Sequence, residues 1–217
     1  MKKDEMDQQQ LHWDRAYTAE MDFFGDEPSL AARRAADRFL EQDSRLLLEL
    51  GAGQGRDTLY FASMGLHVYA LDYSESGLWG IIDKGVKTEL GEMITPVFHD
   101  TRNPLPFADD SVDGCFSHML YCMAFNRAEL EFINGEILRV LKPGGLNIYT
   151  VRHKGDAHYG QGTHLGEDLY EMNGFVVHYF DRALVEQLAE GSDLLSIDEF
   201  EEGALPRKLF QVTLRKK

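Results

Sequence analysis

Nine consecutive residues carry the most readable chemistry in this sequence: Glu49-Leu50-Gly51-Ala52-Gly53-Gln54-Gly55-Arg56-Asp57. An apolar run ends in a carboxylate, and three glycines follow at alternate positions. That pattern describes a buried strand that stops and a loop whose backbone comes close to a ligand. A dinucleotide loop, G-x-G-x-x-G, needs its third glycine at position 56, where Arg56 stands. A phosphate-binding P-loop needs Lys and Ser or Thr after the glycines, and neither is there. With Glu49 two residues ahead of the loop, a phosphate is repelled and an ammonium or sulfonium is favoured.

Two more acids stand in comparable places. Asp72 closes an apolar run over 67–72, and a carboxylate there can accept both hydroxyls of a ribose. Asp100 closes a run over 95–100 and can accept from an adenine amino group. Three acids on successive strand ends lie where the ligand crevice of a wound sheet opens.

The elements that must position these acids follow from the apolar pattern. Runs at 45–50, 67–72, 95–100, 112–119 and 145–151 are apolar on both faces, as strands of a covered parallel sheet are. Helical patterns fill 56–65, 75–91 and 127–141. In the last, Leu130, Ile133, Ile137, Leu138 and Leu141 share a face, Asn126 with Glu129 makes a capping box, and Pro143-Gly144-Gly145 stops the helix. Strand and helix alternate, so the fold class is α/β with a doubly wound, mostly parallel sheet. Segments 194–202 and 208–216 flank a Gly203–Pro206 turn with no helix between them, which predicts an antiparallel C-terminal hairpin at the sheet edge. The first 40 residues read as two helices, with Trp13 and Tyr17 one turn apart. Residues 153–180 are rich in Gly and His without clear periodicity and read as an excursion over the active face.

Composition narrows the partners. With 22 basic and 37 acidic side chains in 217 residues the net charge is −15, which repels phosphate backbones and anionic lipid headgroups, so neither nucleic acid nor membrane is expected. Cys115 and Cys122 form no CxxC pair or disulfide framework and suit a reducing compartment. No signal peptide or membrane span is read, and the expected location is cytoplasmic. Repeats and linkers are absent, which predicts one domain over 1–217: a helical cap at 1–40, a ligand-binding core at 45–152, an acceptor-side excursion at 153–180, then a helix and edge hairpin at 181–217. Monomer and homodimer are both compatible with the sequence.

His153, His158, His164 and His178 match no zinc spacing, so no metal is expected. Some of them read instead as lining a pocket where a neutral imidazole takes a proton from a thiol, hydroxyl or amine.

Three stretches then carry a resemblance: "LLLELGAGQGRDTLYFASMGLHVYALDYSESGL", "HDTRNPLPFADDSVDGCFSHML" and "EILRVLKPGGLNIYTV". In this order and spacing they resemble the class I S-adenosylmethionine-dependent methyltransferases, especially the small-molecule type that includes ubiquinone-biosynthesis and tellurite-resistance enzymes. The resemblance implies a seven-stranded sheet, S-adenosylmethionine as cofactor and S-adenosylhomocysteine as its product. It also implies that Gly51, Gly53 and Asp72 contact the methionyl and ribose parts, Asp100 and Thr101 the adenine, and that Ser117 and His118 lie beneath the sulfonium. Glu49, Ala52, Asp57 and Tyr73 complete the expected cradle, and "HWDRAY", with Trp13 and Tyr17, resembles the family's cofactor-capping helix. On the acceptor side stand Phe23, Phe24, His118, Tyr121, His153, His158 and Tyr159. The Asn/Asp-Pro-Pro-aromatic signature of amino-methylating nucleic-acid enzymes is missing where "SHML" stands, which favours a small-molecule acceptor. A nucleotide-dependent oxidoreductase, a cofactor-binding sensor without turnover and a macromolecule methyltransferase are the rival classes.

Overall fold

The structure is a computed structural model that describes residues 3–203 and 207–217, with side chains from residue 8 onward. Two helices come first, α1 (Lys3–Ala19) and α2 (Leu30–Glu41). Ser29 caps α2 by accepting from Ala32 N at 2.9 Å. The inner face of α2, Ala31, Ala32, Ala35, Ala36 and Phe39, is fully buried, and its methyl-sized side chains bring the helix close against the sheet.

Strand and helix then alternate: β1 (Leu46–Leu50), α3 (Arg56–Ser63), β2 (His67–Asp72), α4 (Glu75–Lys87), β3 (Ile94–Phe98), β4 (Val112–His118), α5 (Arg127–Val140) and β5 (Leu141–Arg152). These five strands pair in parallel in the order β3-β2-β1-β4-β5, so the strand order reverses between β1 and β4. The capping box expected at Asn126 is present, with Asn126 Oδ1 accepting from Glu129 N and Glu129 Oε2 from Asn126 N. The Pro143-Gly144-Gly145 turn does more than stop α5. It lies inside a long β5, whose register against β4 shifts between Val112 and Gly114.

The remaining elements are β6 (Thr163–Gly166), β7 (Leu169–Met172), β8 (Phe175–His178), α6 (Arg182–Leu188), β9 (Ser192–Glu202) and β10 (Arg207–Lys216). Strand β10 runs antiparallel between β5 and β9, completing a seven-stranded sheet of order β3-β2-β1-β4-β5-β10-β9. The expected edge hairpin is therefore present, and its turn residues 204–206 lie outside the described residues. Segment 153–180 departs from expectation: β6, β7 and β8 form a separate antiparallel meander. Its β7–β8 turn is Asn173-Gly174, both at positive φ, a hairpin signal that the short flanking runs obscured.

Side chains alternate across the sheet and feed two cores. Leu47, Phe116 and Ile148 pack toward α2, α3 and α4, while Leu48, Cys115, Tyr149 and Val151 pack toward α5 and α6. Both strand faces are therefore largely apolar, while the buried acids Glu49 and Asp72 sit at or beside the strand ends. Helix α1 has no fully buried side chain from residue 8 onward, so it rests on this frame and is not part of it. No helix among the described residues is long and apolar enough to cross a membrane.

Candidate active site

The C-terminal ends of β1, β2 and β4 open into one cavity, roofed by α1 and reached from the far side by the β9–β10 hairpin. The glycine loop after β1 is tied down by Leu71 O, which accepts from Gly51 N at 2.8 Å and Ala52 N at 3.1 Å. Two of the glycines have separate causes. At Gly53, with φ +54°, a Cβ would lie 2.9 Å from the Tyr17 hydroxyl, so the loop backbone reaches up to the α1 roof. At Gly55, with φ +84°, a Cβ would meet Ile81 at 2.7 Å, so this glycine starts α3 and packs it on α4 with no part in the cavity.

Asp72 is buried at the tip of β2. Its Oδ2 accepts from Gly53 N at 2.7 Å and its Oδ1 from Ser74 N at 2.8 Å. Burial raises its pKa to about 6, against the pull of those two N–H groups, and Asp14 on α1 adds to the rise. Glu49 is also buried, with Thr58 Oγ1 donating to its Oε2 at 2.5 Å. Its pKa is raised well above the ordinary value by burial and by the nearby Asp57 and Asp72 carboxylates. Asp57 is held from outside the cavity, accepting from Ser29 N at 2.7 Å and Ser29 Oγ at 2.9 Å, which ties α3 to α2. Three buried acids thus share one small region. Burial pushes Glu49 and Asp72 toward neutrality until a cation or several hydroxyl donors arrive, so these two suit a ligand with a ribose and a positive sulfur.

At the outer end, Arg102 clasps the Asp100 carboxylate, its Nε lying 3.0 Å from each oxygen. Burial raises the Asp100 pKa, and the Arg102 contacts outweigh it to hold the group below the usual range. An adenine amino group would share Asp100 with Arg102. Tyr73, His99 and Thr101 line the same end.

Of the expected cofactor set, Trp13, Tyr17, Glu49, Gly51, Ala52, Gly53, Asp57, Asp72, Tyr73, Asp100, Thr101 and His118 all line the cavity. Ser117 does not: it is fully buried within β4, one residue short of the strand end, and its hydroxyl has no partner. The acceptor-side set is corrected more heavily. Phe24 and His118 line the cavity, but no residue of 153–180 does. Tyr121 lies fully buried beneath the sheet, stacked on Tyr149 at 4.2 Å. His153 stacks on Phe210 and His158 leans on Arg152, which fastens the excursion to the frame, while Tyr159 donates to Asp168 at 2.9 Å within the excursion itself. The excursion acts on the site through α1, where Phe175 of β8 packs against Trp13 with ring centroids 5.0 Å apart.

Several lining residues were not foreseen: Gln54, which donates to Tyr17 O and Glu20 O; Met119, Met123 and Phe125 after β4; and Glu202 with Arg207 from the hairpin. The hairpin pair follows from topology. A strand running antiparallel to β5 begins where β5 ends, and Leu209 faces Arg152, so Glu202 and Arg207 come to the cavity face of the sheet.

Sheet order, switch point and acid-lined loop define the fold of the class I S-adenosylmethionine-dependent methyltransferases. Residues 48–149 match the family model described as a methyltransferase domain. Over 104 residues the chain is 39% identical to phosphoethanolamine N-methyltransferase 1 of Triticum aestivum, a match covering 46% of this chain and 20% of that protein. Over 100 residues it is 37% identical to demethylmenaquinone methyltransferase of Clavibacter sepedonicus, covering 46% of this chain and 38% of that one. The matches thus span well under half the length of these relatives. The 1,6-didemethyltoxoflavin-N1-methyltransferase of Burkholderia thailandensis, solved with bound 1,6-didemethyltoxoflavin and S-adenosylhomocysteine, superposes with a TM-score of 0.76 at 20% identity, covering 98% of this chain and 88% of that chain.

Proposed function

We propose that the whole chain is one S-adenosylmethionine-dependent methyltransferase domain that methylates a small molecule by in-line displacement. The observation that carries this reading is the cluster of buried carboxylates, Glu49, Asp57 and Asp72, around a glycine loop at the switch point of the sheet. When bound, the cofactor supplies an electrophilic methyl group on a sulfonium, which is already a good leaving group. The protein's task is to hold the acceptor atom in line in a dry pocket, which lowers the barrier by roughly 7 kcal/mol or more. Asp72 would hold the ribose, Asp100 with Thr101 the adenine end, and Glu49 the positive methionyl side. Trp13 and Tyr17 cover the nucleoside, while Phe24, Met119, Leu120, Met123 and Phe125 give the acceptor side an apolar lining that excludes water.

The charge of −15 supports an acceptor that is neither nucleic acid nor lipid surface, and the cysteines Cys115 and Cys122, which make no disulfide framework, support a reducing, cytoplasmic location. Monomer and homodimer both suit this reading. Calorimetry and thermal shift with S-adenosylhomocysteine and with NADH test it. Micromolar binding and a raised Tm with the first alone support the reading; stabilisation by NADH instead would replace it with an oxidoreductase. Labelled cofactor incubated with pooled small-molecule extracts then separates an enzyme, which transfers label, from a sensor, which binds and transfers none.

A further inference from the structure

One polar chain in the cavity wall has no part in holding a nucleoside. Met119 N donates to Thr150 Oγ1 at 2.9 Å, Thr150 Oγ1 lies 2.9 Å from His118 Nδ1, and His118 Nε2 lies 2.9 Å from Glu202 Oε2. A threonine hydroxyl has one proton to give. An ionised carboxylate only accepts, so the Nε2 proton is aimed at Glu202, and Thr150, whose oxygen already accepts from Met119 N, is placed to give its hydroxyl proton to Nδ1. Both ring nitrogens are then engaged, so an acceptor in the cavity meets no unused nitrogen on His118. It meets the carboxylate. Glu202 is the more open of the two, its side chain 20% exposed against 13% for His118, and both line the cavity.

The surroundings suit a group that stays ionised yet is partly stripped of water. Glu202 faces His118 from β4, Arg56 from α3, the Leu30 N–H at the start of α2, and its cross-strand neighbour Arg207 on β10. Burial raises its pKa, and His118, Arg56 and Leu30 outweigh burial to leave it below the usual carboxylate value.

Building on the methyltransferase reading, we propose that Glu202 is a catalytic residue that takes the proton from an N–H, O–H or S–H acceptor, with His118 and Thr150 as its positioning residues. The acceptor atom's lone pair forms the bond to the methyl carbon while the carbon–sulfur bond breaks and its pair stays on sulfur. The acceptor's proton passes to Glu202, and no oxidant or further reactant is needed. Acceptors with no proton to lose, such as tertiary amines and thioethers, gain nothing from this arrangement.

The test uses the full chain labelled with ¹⁵N-histidine, free and saturated with S-adenosylhomocysteine. His118 is expected as the Nε2–H tautomer with a slowly exchanging Nε2 proton, and Glu202→Ala removes that protection. Phenol, thiophenol and imidazole are then offered beside their O-, S- and N-methyl counterparts with labelled cofactor. Only the proton-bearing members should be methylated. Glu202→Gln should lower that turnover at least 100-fold with S-adenosylhomocysteine affinity within twofold of wild type, and His118→Gln should lower it about 10-fold. An Nδ1–H tautomer, equal turnover of the methylated counterparts, or an unimpaired Glu202→Gln variant would overturn the proposal. If no panel compound is methylated, the tautomer alone decides. Failure to bind S-adenosylhomocysteine at all defeats the methyltransferase reading instead, and calorimetry shows that separately.

Discussion

Asp72 joins the glycine loop to the tip of β2 through Gly53 N and Ser74 N, so both its oxygens are already oriented before a ligand arrives. Removing it costs a charge-assisted hydrogen-bond increment of about 1.5–3 kcal/mol. Asp72→Ala should therefore raise the calorimetric Kd for S-adenosylhomocysteine roughly 10- to 150-fold, and an unchanged Kd would exclude the ribose role. The same residue sets a pH dependence. Burial lifts its pKa to about 6, and hydroxyl donors require the ionised form, so binding below that pH must expel a proton. Affinity should be level above pH 7 and fall by up to about tenfold per unit below pH 6; a flat profile from pH 5 to 8 would show that the ligand does not engage this carboxylate. At this scale the acids were legible because a charge at the end of an apolar run has few structural reasons to exist. The His118–Glu202 contact was not, because its partners are 84 positions apart and meet only through the hairpin's topology.

Among the elements, α1 is the one the frame holds least firmly. Its Gln10 donates to Tyr73 O at 2.7 Å, Ser74 and Ser76 donate to Asp14, and Gln9 donates to Gly174 O at 2.9 Å in the meander turn. Trp13 rests between Phe24 and Phe175. A roof fixed by peripheral polar contacts and an aromatic cluster around Trp13 opens more readily than the sheet. Phe175→Ala removes its ring contacts with His12 and Trp13, each of about 0.5–1.5 kcal/mol. Hydrogen exchange over 8–19 should accelerate up to about tenfold while exchange in the sheet strands stays unchanged, and cofactor affinity should fall by a similar factor. Equal acceleration in β1 and β4 would mean that the meander supports the whole fold and not the roof. The meander itself escaped the sequence reading because three four-residue strands are too short to display a period of two. Its Asn173-Gly174 turn was the one usable signal.

Across the whole molecule, the parallel half was legible because its central strands are buried on both faces and α2, α4 and α5 begin on the side-chain caps Ser29, Ser74 and Asn126. The antiparallel half was legible as a hairpin but not as part of the site. An edge hairpin is predicted from its turn, whereas its reach over the cavity depends on which end of β5 it pairs with. The acceptor wall was misassigned for a related reason. Histidines suggest proton chemistry wherever they occur, yet His153 and His158 serve to pin a loop around Arg152 and Phe210. The account's central claim is that buried carboxylates at successive strand ends hold a nucleoside whose far end bears a positive sulfur. A crystal structure of the full chain with S-adenosylhomocysteine tests it most directly. The ribose hydroxyls are predicted within hydrogen-bond distance of Asp72, the sulfur between Glu49 and His118, and the adenine beside Asp100 and Thr101; a ligand bound elsewhere, or a cavity left empty at saturating concentration, would contradict it.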